Sequence, residues 1–545
     1  MSDALLAGVS GLRAHQTMLD IAGNNLANVN TFGFKSSRVT FGELLSQTMR
    51  EATQPTANVG GTNPQQVGAG VKVASIDRNM DQGNLIFTGQ ALDMAIEGSG
   101  YFTLSDGQKD VYTRVGAFAV DAGFYLVDPS SGYRVQRIGS EGVAESFQNA
   151  SSDNIRIPYD VALPAKATQS VNFTGNLSPD STTIAATNLL SSGIQYTVSG
   201  GMASQSTLLS DLDQASGLAV GDTIAITGTD AAGTAVNSTL TLAAGSTIGD
   251  LINAITAAFP GSTATLSNGE IRLSDSKAGY SQTDLNLTYT GSGTFTTPNY
   301  FKVLQAGGEE VRNTNVEVFD SQGIGHVLSV SFVRTKTPNN WDIVLGSMTG
   351  DGYINNRRIQ GVTFGGDGAY AGLLGGGDPT FSLRFGAGAG SVQDIRLNLG
   401  NAGQFDGLSQ FGGASTVAAN GQDGYEAGRL SSLSVSRDGV LVGMFTNGIR
   451  QDVAALKLTT FQNPAALESV GGGMFTASAN SGDPLPTNAQ SGGAGAVNGG
   501  SLEKSNVDMA SEFVNLIQAQ NGYQANARTI RITNDMLQQL ANIIR

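Results

Sequence analysis

Cysteine is absent from all 545 residues. That excludes a disulfide scaffold, a thiol nucleophile and any cysteine-based metal site. Charge is scarce too, at 14% of residues against about a quarter in an average soluble domain. What charge there is sums to −15, and such a chain offers nothing to replace the counterions condensed on a polyanion, so nucleic acid is excluded as a partner. The acidity reads as a solubilising surface. No apolar run is long enough to span a bilayer, so no membrane insertion is expected. The opening "MSDALLAGVSGLRAHQ" lacks a basic stretch followed by an apolar one, and no cleavable signal peptide is expected there.

Histidine occurs only at His15 and His326, neither in a nucleophile-elbow or metal-ligand setting. "GSGYF" (98–102) lacks the third glycine of a dinucleotide fingerprint, and there is no Gly-Lys-Ser/Thr to cradle a phosphate. "GGDGAYAGLLGGGD" (365–378) does not iterate with the aspartate period of calcium-binding repeats. No catalytic, cofactor-binding or metal-ligating residue is assigned, and no cofactor or enzymatic activity is expected.

Glycine is abundant, with 73 residues and no collagen period, as expected of many short strands joined by tight turns. The two ends carry a different pattern. Leu5, Leu12, Leu19 and Leu26 recur every seven residues, as do Met509, Leu516, Tyr523, Ile530, Leu537 and Ile544. A second C-terminal row, Phe513, Gln520, Ala527, Asn534 and Ala541, follows the first by four residues. These heptads predict coiled-coil-like helices packed against other helices. Anchors of this size recover less than the backbone entropy of ordering the segment, and helix hydrogen bonds offset the rest only marginally in water, so the termini are expected to be disordered in the monomer and helical in a polymer.

Between the ends the texture is β. Residues 111–136 alternate and turn at Asp121-Ala122-Gly123 and Pro129-Ser130-Ser131-Gly132. Residues 325–346 read as a hairpin around Pro338-Asn339-Asn340, and 429–461 as three strands with Asp438-Gly439 and Asn447-Gly448 turns. Residues 206–290 mix strand patterns with a helical one at 247–259 and read as an α+β insertion. Glycine- and serine-rich stretches at 365–391 and 480–500 read as linkers.

The expected fold is therefore multidomain: terminal α-helical coiled-coil-like segments plus mainly-β domains nested in sequence, with one α+β insertion. Residues 1–34 with 501–545 form the helical assembly domain, and 35–75 with 482–500 a connecting segment. Residues 76–158 with 420–481 form an inner β-domain, 159–205 with 291–419 an outer one, and 206–290 the inserted module.

One stretch stands apart. In "IAGNNLANVNTFGFK" (21–35), Asn24, Asn25, Asn28 and Asn30 crowd the end of the leucine row, followed by Thr31, Gly33 and Phe34. Amides are no acid, base or metal set. Beside a helical seam they can set register, and with a glycine they can equally end the helix and turn the chain. Either way the stretch is a joint between helix and β-domain.

"NNLANVNTFGFK" (24–35) closely resembles the N-terminal motif of bacterial flagellar rod and hook proteins. "SLEKSNVDMASEFVNLIQAQNGYQANARTIRITNDMLQQLANII" (501–544) resembles their C-terminal motif, and "GQALDMAIEGSGYF" and "YTRVGAFAVD" their β-domain segments. Within that family, residues 319–346 and 422–448, together with the chain length, look like the hook members. The 206–290 insertion departs from the minimal hook pattern. The resemblance implies a homopolymer, a curved tube acting as a universal joint that passes torque from rod to filament. It implies export through the flagellar type III apparatus to an extracellular site. It also implies partnership with a hook cap protein, a distal rod protein and a hook–filament junction protein. A straight distal-rod-like protein, a secreted β-rich adhesin and an extracellular glycosidase are the alternatives. Paired terminal heptads set a polymer apart from an adhesin, which has no need of both.

Overall fold

A computed structural model of the protein describes residues 2–180, 185–386 and 391–543. The chain divides into two compact units, Met1–Leu163 with Gly428–Arg545, and Pro164–Ala427. Leu163 and Gly428 exchange backbone hydrogen bonds of 2.7 and 3.1 Å, which closes the first unit where the chain leaves and returns. Among the described residues there are three α-helices: α1 (Ser2–Ala27), α2 (Ile248–Ala258) and α3 (Met509–Ile543).

In the first unit α1 and α3 pack side by side, and their contacts run antiparallel. A β-carbon added at Gly8 would meet the Ile530 side chain at 3.1 Å, and one at Gly11 the Asn526 side chain at 2.7 Å. One at Gly522 would meet the His15 ring at 2.5 Å. Ala14, Ala22, Ala519 and Thr533 are buried along the same face. The packed row of α3 is therefore Glu512, Ala519, Asn526 and Thr533 alternating with Leu516, Tyr523 and Ile530. It lies one residue before the expected second row, of which Phe513, Gln520, Asn534 and Ala541 are exposed. The reason is steric. Small residues let two helix backbones approach closely and interdigitate, so the in-chain face follows glycine and alanine, not the largest side chains.

The β-structure of this unit is antiparallel. A nine-stranded sheet centres on Tyr101–Ser105 and Asp110–Thr113, and a four-stranded one on Val440–Phe445 and Arg450–Leu456. Asp438-Gly439 and Asn447-Gly448 make the turns of the second sheet, with Gly439 and Gly448 at φ +77° and +78°. A two-stranded ribbon, Ser37–Glu43 with Val71–Arg78, follows α1.

The second unit holds a five-stranded and a six-stranded sheet around one core that includes Trp341, Phe332, Phe381 and Leu397. A separate core, with Ile226, Leu251, Ile255, Phe259 and Ile271, belongs to the inserted module. There Thr247 and Asp250 cap α2 reciprocally. This module is wider than 206–290. Leu189–Ser191 and Lys302–Gln305 complete its four-stranded sheet, and its core runs from Leu190 to Phe301. A three-residue strand is too short to show an alternation, which is why the sequence hides it.

Among the described residues, which leave out 387–390, the two glycine-rich stretches are not linkers. Tyr370–Leu373 and Thr380–Phe385 are strands of the two large sheets, with Gly375, Gly376 and Gly377 all at positive φ in the turn between them. Leu485–Thr487 pairs with Leu458–Thr460, and Ala496–Gly499 with Met94–Glu97, so 482–500 belongs to the β-structure of the first unit and is no connector paired with 35–75. Glycine there supplies left-handed turn geometry, not slack.

Candidate functional site

The asparagine-rich stretch sits where α1 ends. Asn28 donates its side-chain amide to the Asn24 carbonyl at 2.9 Å, and its own oxygen accepts from the Thr31 hydroxyl at 3.1 Å. Asn30 is exposed. Asn24 and Asn28 thus tie the last turn of the helix to the turn that follows it. Asn25 differs: it is fully buried, and its side-chain hydrogen bonds lead away from its own helix. Its amide nitrogen donates to the Ser37 carbonyl at 2.8 Å and to the Glu512 carboxylate at 3.0 Å, while its oxygen accepts from the Ser37 N–H at 3.0 Å. One side chain thus fixes α1 to the following ribbon and to the start of α3. Asn25→Ala would leave those groups without this partner in a part-buried site, and a loss of ~1–3 kcal/mol is expected. Faster amide exchange at Ser37 in the variant checks it, and unchanged exchange would remove Asn25 from the joint.

Gly33 follows at φ +66°, its N–H bound to the Glu503 carbonyl at 2.8 Å. A β-carbon there would lie 2.9 Å from Val115, so only glycine fits. Phe34 is half-buried beside it. Next comes a cluster of buried charge. The Lys35 ammonium lies 2.6 Å from Glu503, their side chains 1% and 0% exposed. The same Glu503 oxygen accepts from the Gly83 N–H at 2.8 Å, and the other lies 3.4 Å from the Arg114 guanidinium. Lys35 also donates to the Asp81 carbonyl at 2.8 Å, and Arg114 to the Gly98 carbonyl at 2.7 Å. Burial pulls the Lys35 ammonium below its ordinary range, and the neighbouring Glu503 carboxylate opposes that shift. Asn506 completes the joint, accepting from Ser36 N–H at 2.8 Å and donating to the Asn79 and Asp81 carbonyls.

The joint therefore ties three parts of the first unit: the exit from α1, the strand Ser501–Glu503 that leads to α3, and the β-structure bearing Arg114. Lys35, Arg114, Glu503 and Asn506 were not singled out from the sequence. The available signal was slight: a lysine closing "TFGFK" and a glutamate opening "SLEK", both charged residues beside apolar ones in a charge-poor chain.

The other assembly positions divide. Leu5, Leu12, Leu19 and Leu26 are half-buried, as are Leu516, Tyr523 and Ile530. Met509, Phe513 and Leu537 are exposed, Phe513 at 52%. Ile544 lies outside the described residues. Among the described residues the histidines pack on aromatic and backbone groups. The His15 ring packs on Gly522 and edge-on to Phe41. His326 stacks on Phe385 with its nitrogens against the Thr349 carbonyl and Asp320. Among the described residues no three His, Cys, Asp or Glu side chains are placed to hold a metal ion, and no helix is long and apolar enough to cross a membrane.

The two ends of the chain return to one helical pair, tied by buried charge to the β-structure of the first unit, and four family models of flagellar axial proteins match along the chain. They are the flagella basal body rod protein (residues 5–35), the D1 domain of the flagellar hook protein FlgE/F/G (95–178), the D2 domain of the flagellar basal body protein FlaE (286–425) and the C-terminal region of the flagellar basal body rod proteins FlgEFG (498–543). The flagellar hook protein FlgE of Treponema pallidum is 32% identical over 577 residues, and that of Borreliella burgdorferi 30% over 562, each covering the whole of both chains. That of Escherichia coli is 27% identical over 99% of this chain and all of its own. The chain belongs to the FlgE family of flagellar hook and rod proteins. It is a structural protein of the flagellum and not an enzyme.

Proposed function

We propose that this chain is the subunit of the flagellar hook, polymerising into a curved, flexible tube that passes torque from rod to filament. The observation that carries the reading is the free side of α3. Its small-residue face is occupied by α1, yet Phe513, Val514, Ile517, Ile532, Met536 and Leu540 remain exposed along the same helix. Two groups of exposed large apolar side chains on one helix, 513–517 and 532–540, are covered in this reading by neighbouring copies. The leucine row of α1 and the heptad row of α3 then serve contacts between copies as well as within one, in a coiled-coil-like inner wall.

The same reading makes the distal rod protein, the hook cap protein and the hook–filament junction protein its partners at either end and during growth. The flagellar type III apparatus is its route outward. A cysteine-free chain suits export in an unfolded state, because refolding needs no oxidative step. The terminal helices reach full order only in the polymer. Circular dichroism of dilute monomer with limited proteolysis should show helix content and protease resistance rising on polymerisation; fully helical, resistant termini in the monomer would refute that coupling. Electron microscopy of cells lacking the gene tests the whole reading. Rods bare of hook and filament are expected, and complete filaments would overturn it.

A further inference from the structure

The inserted module hangs from the second unit by two connections, near residues 185–188 and 306–308, and such an insertion would be free to swing if nothing else held it. The side chains between the two cores say otherwise. Asp342 lies on the strand Asn340–Met348 of the five-stranded sheet with its side chain 2% exposed. Its carboxylate accepts from the Tyr280 hydroxyl of the module, from Arg358 at 3.1 Å and from the Gly361 N–H at 3.1 Å. Arg358 turns its other nitrogen to the Ser281 carbonyl of the module at 2.9 Å. Arg357 beside it reaches the Asp284 carboxylate and the Phe301 carbonyl, each at 2.8 Å. Two consecutive arginines of the sheet thus hold separate backbone segments of the module.

Beneath these bonds is a small apolar layer of Ala306, Val333 and Val344, with Tyr280, Val303 and Val311 packed on it. The backbones come close as well. A β-carbon at Gly346 of the sheet would meet the Val303 carbonyl of the module at 3.1 Å. Burial, reinforced by the Asp342 hydrogen bond and charge, pushes the Tyr280 phenol up to about 12, so it stays a donor across neutral pH.

We infer that the inserted module is locked to the five-stranded sheet as one rigid body, with Asp342 as the positioning residue of the lock. The module is then a fixed arm that carries its surface wherever the sheet goes, and bending of the subunit is not absorbed at its two connections. A buried carboxylate with donors from both sides of the joint is suited to this, because removing it takes one partner from Arg358 and from the Tyr280 hydroxyl at once.

The absence of cysteine makes the test direct, since two spin labels can be placed uniquely in the full chain on Asn253→Cys in α2 and Asn315→Cys in the sheet, both exposed positions. Electron–electron distance measurement should give a single narrow distribution in the parent chain. With Asp342→Ala added, the distribution should broaden by about twofold or more while amide protection of the α2 core and of the sheet persists, as expected when a joint opens without global unfolding. Arg358→Ala, a partly exposed position, should broaden it in the same sense if Asp342→Ala does not fold. A broad distribution in the parent chain, or one equally narrow in the variants, would overturn the inference. The measurement is made on monomer and does not depend on the hook reading.

Discussion

Replacing Glu503 by alanine is expected to destabilise the first unit by ~3–5 kcal/mol, the loss typical of stranding a buried opposite charge. Lys35 and Arg114 would remain in a site where neither reaches water, and the Gly83 N–H would lose its acceptor. Lys35→Met should cost less, because Glu503 would still hold Arg114 and the Gly83 N–H. The chain carries its own control. Its single tryptophan, Trp341, is fully buried in the second unit, so fluorescence follows that unit while far-UV circular dichroism follows both. In urea, Glu503→Ala should move the part of the dichroism transition that fluorescence does not see and leave the Trp341 transition in place. Coincident, unshifted transitions in the variant would show that the charge cluster does not hold the joint. A shift of the Trp341 signal would place its effect in the wrong unit.

The second large effect is on assembly. Ile530→Asp should abolish polymer. Ile530 packs against the bare backbone of Gly8, and a carboxylate there forfeits ~1.5–3 kcal/mol of apolar burial before any cost of its charge. Because the loss falls on the α1–α3 pair, the β-structure and the Trp341 signal should be unchanged. Leu516→Asp should behave alike, its side chain being half-buried on the same face. Phe513→Asp separates the two kinds of contact. At 52% exposure it leaves the in-chain pair intact, so a polymer defect with unaltered monomer would come from a surface that faces a neighbouring copy. Sedimentation and negative-stain microscopy of purified subunits would decide these cases. Normal tubes from Ile530→Asp would refute the role of the helical pair in assembly.

Much of the local structure is legible in the chain. Asp438-Gly439 and Asn447-Gly448 mark hairpin turns because few residues take positive φ, and the strands they join are where the alternation puts them. The helical spacing of 247–259 yields α2, capped by its own Thr247 and Asp250. The glycine-rich stretches mislead for the same reason that the turns do not. Glycine marks left-handed geometry and slack alike, and only the pairing shows that Tyr370–Leu373 and Ala496–Gly499 are strands, the first with the strand just before it and the second with Met94–Glu97 far along the chain.

The helices show the limit most clearly. A seven-residue repeat says that a helix packs, since the period is a property of one segment. It does not say which face packs inward, because that depends on what the partner presents. Here the partners present Gly8, Gly11 and Gly522, and close approach moves the in-chain seam onto the small residues.

By itself the sequence determined the class of protein: no disulfide, no catalytic set, β-hairpins between two helical ends, and a motif at each end that names the family. It also reads residues 24–35 as a joint. Tertiary structure alone decided what the joint is made of. Lys35 and Glu503 are separated by 468 residues, and the pair exists only because the chain returns to its start. The same holds for Asp342 and Tyr280, 62 residues apart on either side of the module's boundary. Periodicity and turn chemistry act over a few residues, whereas a buried charge is set by whichever distant group folding brings within hydrogen-bond reach.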